Sequence, residues 1–558
     1  MRKVIFLFSI FMFFFKTSAT ANYEKKFYDF SIESITGETI NLNDYKNKVE
    51  DQERDRPNII IILADDMGYS DLGCFGGEIR TPSLDSLAEN GIRFTNFYSE
   101  NMCWVSRASM MTGIYHRTSL KDSALHPRCL TLPEALKDNG YRTGMMGKWH
   151  LAGKYNQNNG RDAVYPDQRG FDHFYGILGG ASSFYAPFGL KRNRDSIDHE
   201  FMNDENYYFT NAIGDEAISF LKQTPDQTPF FLYLPFTAAH WPLHAPVKDI
   251  EKYKGVFSKG WDQLRSKRLK RMKKLGVIDQ SVKLSLRHPK VPSWEDEKHK
   301  DWQERRMEVY AAQVTSMDRE IGNVIQYLEK IGKLNDTLIF FTIDNGGCHV
   351  EYPPQRKGDY LPEKTRKGEP MKPGNLPHIM PGPEITYQSY GYGWANLSNT
   401  PYRLFKQYDH EGGIHTPMIA HWPDKIKKKG SISHTLSHLV DLMPTILEAT
   451  NITPTSKIRG QERLPWDGRS ILPSIEGKKQ TDPSLLFFSH ARGKAIRVGN
   501  WKLVLNKDNK KEAKWELYDM KKHPNELNDL AENNPDKVDE LAKIWQREET
   551  DHLRKSKL

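Results

Sequence analysis

Cysteine is scarce: four residues, Cys74, Cys103, Cys129 and Cys348, in a chain of 558. A disulfide framework therefore does not carry the fold, although one bridge among the four stays open. Charge of one sign is also lacking. The 80 basic and 72 acidic residues leave a net +8. At this length that is too little to argue for nucleic acid, yet it suits an anionic substrate. No internal repeat is found. Long apolar runs are missing after residue 15, so no stable membrane insertion is expected. Aromatic residues, by contrast, reach 11%, which excludes wholesale disorder.

The one apolar run, Val4–Phe15, follows Arg2 and Lys3 and leads into Thr17-Ser18-Ala19-Thr20-Ala21-Asn22. A basic start, a short apolar stretch and an Ala-x-Ala site predict a secretory signal peptide over 1–21. No cysteine near the cut offers a lipid attachment point, so the expected location is periplasmic or secreted. Residues 22–56 form a polar appendage. Its segment from Tyr28 to Lys46 resembles the opening hairpin of glutathione peroxidases and stops before any redox cysteine, so a short β-ribbon is expected.

Asn58–Ala64 is a continuous β-branched run and predicts a strand buried on both faces. Phe230–Leu234 and Thr337–Thr342 read the same way. Helical patterns lie between them at Ser83–Asn90, Thr131–Asn139, Gly214–Lys222 and Val309–Ile331. Strands alternating with helices predict an α/β fold with a large central sheet sandwiched by helices. Beyond residue 450 the pattern changes to short strands at Ala495–Val498, Trp501–Val504 and Trp515–Tyr518, then a helix over Pro535–Glu549. A main domain over 57–450 and a C-terminal subdomain over 451–558, an antiparallel sheet plus helix, are expected. The basic stretch 252–300 has no interleaved aromatics. It is read as a solvated amphipathic helix with Leu264, Leu269, Met272 and Leu275 inward. Residues 351–400, rich in Pro, Gly, Tyr and Lys, read as a long loop of the functional kind.

Two short-oxygen pairs stand at the carboxyl ends of predicted core strands: Asp65-Asp66 and Asp344-Asn345. Alone, each is an ordinary turn or cap. Together at equivalent positions they form a hard-oxygen set suited to Ca²⁺ or Mg²⁺. Cys103 lies in Cys103-Trp104-Val105-Ser106-Arg107, followed by Thr112-Gly113. A lone cysteine is most often a buried structural residue; this one sits beside Ser and Arg at a helix start.

This segment resembles the signature of the type I sulfatases, Cys-x-Pro/Ala-Ser-Arg, with Val105 standing where Pro or Ala is usual. Ile60–Asp66 with Met67–Gly73 is similar to that family's opening strand. Thr81-Pro82-Ser83-Leu84-Asp85, Gly147-Lys148-Trp149-His150, Gly170-Phe171-Asp172, His240, Asp344-Asn345-Gly346, Lys406 and Glu411–Pro417 follow in the family's order, from about residue 57 to about 530. The resemblance implies an alkaline-phosphatase-like mixed sheet and a secreted sulfuric ester hydrolase of the bacterial carbohydrate type. It implies one Ca²⁺ held by Asp65, Asp66, Cys103, Asp344 and Asn345. It also implies conversion of Cys103 to 3-oxoalanine (Cα-formylglycine) by a maturation enzyme, the hydrated aldehyde serving as nucleophile. Arg107 and Lys148 would hold oxyanions, His240 with Lys406 would protonate the leaving oxygen, and His150 would act as base. Taken singly, His150 and His240 read as core histidines, and Lys406 competes with nearby Arg403 and His410. The implied substrate is a sulfated polysaccharide or its oligosaccharides, algal such as ulvan or carrageenan, or a glycosaminoglycan. Alternatives are a phosphate or phosphonate ester hydrolase of the same superfamily and a noncatalytic glycan-binding relative.

Overall fold

The computed structural model describes residues 31–33, 39–41 and 56–558, except 122, 154–164, 359, 491–492 and 507–512. The expected signal peptide lies outside them. Among the described residues no helix is long and apolar enough to cross a membrane. The chain separates into Met1–Arg56 and Pro57–Leu558. In the first unit Ser31–Glu33 pairs antiparallel with Thr39–Asn41.

The second unit is built on an eleven-stranded sheet. Its main strands are β1 (Asn58–Ala64), β2 (Ile92–Tyr98), β3 (Arg142–Lys148), β4 (His173–Ile177), β5 (Phe230–Pro235), β6 (Thr337–Ile343) and β7 (His415–His421). They lie in the order β4-β3-β5-β1-β6-β7-β2. β1 is central and parallel to both neighbours; β7 runs antiparallel to β6 and β2. The sheet is therefore mixed, as expected.

The uninterrupted apolar character of β1 has a direct physical reading. Ile60, Ile62 and Ala64 enter one core and Ile59, Ile61 and Leu63 the other, so alternate side chains are buried on opposite faces. Helices α2 (Phe209–Lys222) and α4 (Lys300–Lys330) supply the first core. Helix α1 (Cys103–Thr112) and Leu442–Ala449 supply the second. Helix α4 begins nine residues before its apolar period becomes visible in the sequence. Its first turns carry Lys300, Asp301, Gln303, Glu304 and Arg305, and only Trp302 and Arg306 are buried there. Ile452, Ile471, Leu472 and Ile475 join the second core, so main-sheet packing continues past residue 450.

A second sheet, β8 (Leu486–His490), β9 (Gly493–Val498), β10 (Trp501–Asn506) and β11 (Glu516–Asp519), is an antiparallel meander. Helix α5 (Pro535–Lys555) covers it with Leu541 and Trp545 against Phe487, Leu503 and Leu517. The basic helix, α3, spans Gly260–Leu275. Leu264 and Met272 are buried and Leu269 packs against the core, but Leu275 is 38% exposed, a correction to the inward set. Cations take part of that inward face instead: buried Arg268 pairs with Asp71 at 2.7 Å and Glu78 at 3.0 Å. All four cysteines are buried and free. Among the described residues of 351–400 the path is mostly irregular, with the two-residue strands Lys372–Pro373 and Thr386–Tyr387 and one helix at Gly391–Ser398.

Candidate active site

Register builds the site. β1 and β6 pair with Ala64 opposite Ile343, so the residues that follow, Asp65 and Asp344, leave the sheet side by side. The Asp344 N–H donates to the Ala64 carbonyl at 3.1 Å, and the Asp66 N–H to Asp344 Oδ1 at 3.2 Å. On the other flank, Asp65 and the turn after β5 exchange backbone bonds. Asp65 N–H donates to Ala238 O at 2.9 Å and Ala239 N–H to Asp65 O at 2.8 Å. That turn delivers His240. β3 ends in Lys148 and β4 lies beyond it, so four strand ends converge on one edge, where α/β folds place their chemistry.

Cys103 opens α1, and the helix is buried on nearly every side. Ser106 Oγ anchors its first turn: it accepts from the Glu100 N–H at 3.1 Å and donates to the Asp344 carbonyl in a short bond. Arg107, one residue on, donates Nη2 to Asp344 Oδ2 at 2.8 Å and Nη1 to the Lys148 carbonyl at 2.8 Å. Lys148 Nζ lies 2.5 Å from Asp65 Oδ2. Lys406 Nζ lies 2.5 Å from Asp66 Oδ1 and 2.9 Å from Cys103 Sγ. His240 Nε2 faces Asp66 Oδ2 at 3.3 Å, while its Nδ1 meets the Trp241 carbonyl at 2.7 Å. Asn345 Nδ2 donates to Asp66 Oδ1 at 2.7 Å. Thus Asp65, Asp66, Cys103, Arg107, Lys148, His240, Asp344, Asn345 and Lys406 form one connected cluster. His150 belongs to its border. It is half-buried, its enclosed Nδ1 has no hydrogen-bond partner among the described residues, and Gly180 makes room for its ring: a Cβ there would sit 2.4 Å from it. Asp66 and His150 both hold positive φ, 61° and 57°. In non-glycine residues that is a strain of about 1–3 kcal/mol, a feature that concentrates at functional sites.

The electrostatics follow from burial and neighbours. Burial pushes Asp66 up, but Lys406, His240 and Lys148 outweigh it and hold the carboxyl well below its usual range. Burial, with Asp65 adding to it, lifts Asp344 to about 6. Burial raises the Cys103 thiol to about 12, so as a cysteine it is no thiolate nucleophile. Burial, then Lys148 and Arg107, drives His150 well below its usual value and leaves it a neutral base. Burial pulls Lys406 down, yet Asp66 and Cys103 hold it well above its usual value.

The donor set fits a hard cation. Asp65 Oδ1, Asp66 Oδ2 and Asn345 Oδ1 are buried without a hydrogen-bond partner, a costly arrangement unless a ligand satisfies them. Ligand atoms of Asp65, Asp66, Cys103 and His240 also come within 4.8 Å of one another.

The chain matches the sulfatase family over residues 57–452 and the family described as N-sulphoglucosamine sulphohydrolase, C-terminal, over 402–553. It belongs to the sulfatase family. The activity of the chain is accordingly that of a sulfuric ester hydrolase. An uncharacterized sulfatase of Schizosaccharomyces pombe is 34% identical over 88% of this chain and 93% of that protein. An arylsulfatase of Klebsiella aerogenes is 32% identical over 75% and 92%. The crystal structure of Ps i-CgsB with k-i-k-neocarrahexaose superposes with a TM-score of 0.62. It covers 90% of this chain and 94% of that one at 24% identity.

Two contributors lie outside the sequence motifs. Tyr233, buried on β5, holds a neutral hydroxyl without a hydrogen-bond partner inside the sheet, and its inward position follows only from the β5 register. Trp241, Tyr352, Tyr360 and Tyr387 gather beside His240, with Trp241 ring centroids 5.1–6.1 Å from the three tyrosines. The aromatic richness of residues 351–400 is the signal for them; which rings meet Trp241 is set by the loop's irregular path.

Proposed function

We propose that this sulfatase removes sulfate esters from a carbohydrate, with Cys103 matured to formylglycine and one Ca²⁺ held by Asp65, Asp66, Asp344, Asn345 and the modified residue 103. The observation that carries the reading is the trio of buried oxygens at Asp65, Asp66 and Asn345 that accept no hydrogen bond, converging beside Cys103 and Lys406. The cation would add positive charge facing the sulfate and the attacking oxygen. The matured residue 103, as its aldehyde hydrate, would supply the nucleophile that a thiol at about 12 does not.

The remaining work falls to the chain's own residues. Three carboxylates, Asp65, Asp66 and Asp344, are matched by Arg107, Lys148 and Lys406. With a divalent ion added, the pocket carries surplus positive charge for an anionic ester. Arg107 and Lys148 orient nonbridging oxygens and stabilise their charge in a buried setting. His150 Nδ1, neutral and partnerless, accepts a proton from the hydroxyl at residue 103. His240 carries a proton on Nδ1 for the Trp241 carbonyl, so Nε2 donates only from the doubly protonated ring. Burial pulls that ring down to about 3; a sulfate anion beside Nε2 raises it. Lys406, already charged, is the neighbouring second donor.

A carbohydrate rather than a small aryl ester is supported by the aromatic wall at Trp241, since sugar faces pack on aromatic rings. The sugar in the Ps i-CgsB structure and the name of the C-terminal family point the same way. The test is sulfate release from defined sulfated oligosaccharides by wild type and Cys103→Ala. Release by wild type alone is expected. Cleavage of 4-nitrophenyl sulfate with no release from any oligosaccharide would overturn the carbohydrate reading.

A further inference from the structure

We propose that Arg356 recognises a second anionic group, a sulfate or a carboxylate, on the sugar next to the ester that is cleaved, and that Trp241 forms the floor between the two. The proposal rests on the carbohydrate reading and adds a requirement to it: the preferred substrate carries two negative charges.

The floor starts at the reaction centre. His240 Nε2 lies 3.3 Å from Asp66, and the Trp241 ring lies 4.3 Å from the His240 ring. Exposure rises along this line. Asp66 is 1% exposed and His240 5%, while Trp241 and Arg356 are half-buried. Tyr352 and Tyr387, both buried, back the indole at 5.1 and 6.1 Å and fix its plane. A half-buried tryptophan with rigid backing presents a face to a sugar ring.

Arg356 completes that face. Its guanidinium carbon stands 5.0 Å from the Trp241 ring and 5.1 Å from Tyr352, and its Nε donates to Tyr360 Oη at 2.9 Å. These contacts hold the side chain and set three ring faces against its charge, but among the described residues they supply no counter-ion. Among the described residues no carboxylate lies within 4 Å of it, and neither Nη group has a protein acceptor. Other arginines touching this segment behave differently: Arg306 pairs with Glu351 at 2.9 Å, Arg366 with Glu384 at 3.0 Å. An immobilised guanidinium with two free N–H-bearing groups, beyond the reaction centre, is a fork for an oxyanion, and sulfate and carboxylate both match it.

The test is competitive inhibition of 4-nitrophenyl sulfate hydrolysis by two pairs of probes. Glucosamine 6-sulfate against glucosamine 2-N,6-O-disulfate reads a second sulfate. N-acetylgalactosamine 6-sulfate against the uronate-bearing chondroitin 6-sulfate disaccharide reads a carboxylate. In wild type the second anion should lower Ki by about 10–100-fold in at least one pair, the worth of a charge-assisted hydrogen bond. The pair that shows it names the group. Arg356→Ala should collapse that ratio to within about threefold, and Arg356→Lys, which keeps the charge but not the fork, should fall between. A wild-type ratio near one in both pairs, or a ratio that survives Arg356→Ala, overturns the proposal while the carbohydrate reading stands. If no probe competes at all, the carbohydrate reading falls and this proposal with it.

Discussion

Two buried ionic clusters in this molecule use the same residue types and end differently. One surrounds Cys103. The other joins the second sheet to the main one: Lys502 Nζ lies 2.6 Å from Glu411 Oε1 and 2.8 Å from Glu526 Oε1. Glu411 Oε2 meets the Tyr98 hydroxyl at 2.7 Å and His415 Nδ1 at 2.8 Å, and the Glu411 N–H donates to Glu526 Oε2 at 2.9 Å. Every carboxylate oxygen there faces a partner from the chain itself. Around Cys103, Asp65 Oδ1 and Asn345 Oδ1 do not, and Asp66 Oδ2 meets only His240 Nε2, at 3.3 Å. Burial and charge alone therefore do not mark a site; buried oxygen atoms left over after pairing and gathered at one point do. The closed cluster reads as a staple between sheets, and the open one as a place for a ligand.

Breaking each cluster should produce opposite signatures. The largest effect is expected from Cys103→Ala. Turnover should fall by at least about 10³-fold, because no other group there supplies attack and elimination. Its urea midpoint should stay close to wild type. Near-normal hydrolysis by this variant would remove residue 103 from the chemistry.

Next come the two histidines. His240→Ala should slow a sugar sulfate far more than 4-nitrophenyl sulfate, since a sugar alkoxide needs a proton to leave and a nitrophenolate does not. General acid help is worth about 10²–10⁴-fold. His150→Ala should slow both substrates alike. Equal losses on both for His240→Ala would transfer the donor role to Lys406.

The staple should answer in stability instead. Lys502→Met leaves Glu411 and Glu526 buried without their cation and should cost about 3–5 kcal/mol in urea unfolding. A smaller effect belongs to pH. Burial pushes Glu411 up, but Lys502, His415 and Arg497 hold it well below its ordinary 4.5. The folded state thus binds that proton more weakly than the unfolded chain. Its contribution is whole above pH 4.5 and is lost as pH falls from there toward the depressed folded value. The urea-midpoint gap between wild type and Glu411→Gln should therefore be widest near pH 7 and close progressively below pH 4.5. A gap that widens on acidification would contradict this sign.

Much of the open cluster was legible in the sequence because strand ends announce themselves. β1 and β6 are continuous apolar runs, and parallel pairing makes the residues after each of them neighbours. β3 and β7 were not legible as strands. Gly144-Met145-Met146-Gly147 lacks β-branched residues, and Gly147, at φ 132° and with a Cβ position 2.1 Å from the Pro235 carbonyl, is there for close approach to β5. Pro417 interrupts β7 at the irregularity between Thr416 and Met418. The motifs around Lys148 and Glu411 pointed to function before their elements were known. The staple stayed invisible because Lys502 and Glu526, which complete it, lie 91 and 115 residues from Glu411 and carry no motif of their own. Arg268 shows the same limit, since a buried cation on an inward helix face looks like a solvated one until Asp71 and Glu78 are placed.

The central claim is that leftover oxygens around Cys103 hold one hard cation. Calcium titration of chelated wild type, Asp66→Asn and Glu411→Gln, read by elemental analysis after gel filtration, tests it most directly. The account predicts one Ca²⁺ per chain in wild type and Glu411→Gln, and loss of tight binding in Asp66→Asn. Absence of calcium from wild type, or two tightly held zinc ions in its place, would contradict it and move the chain toward the phosphatase chemistry of the same fold.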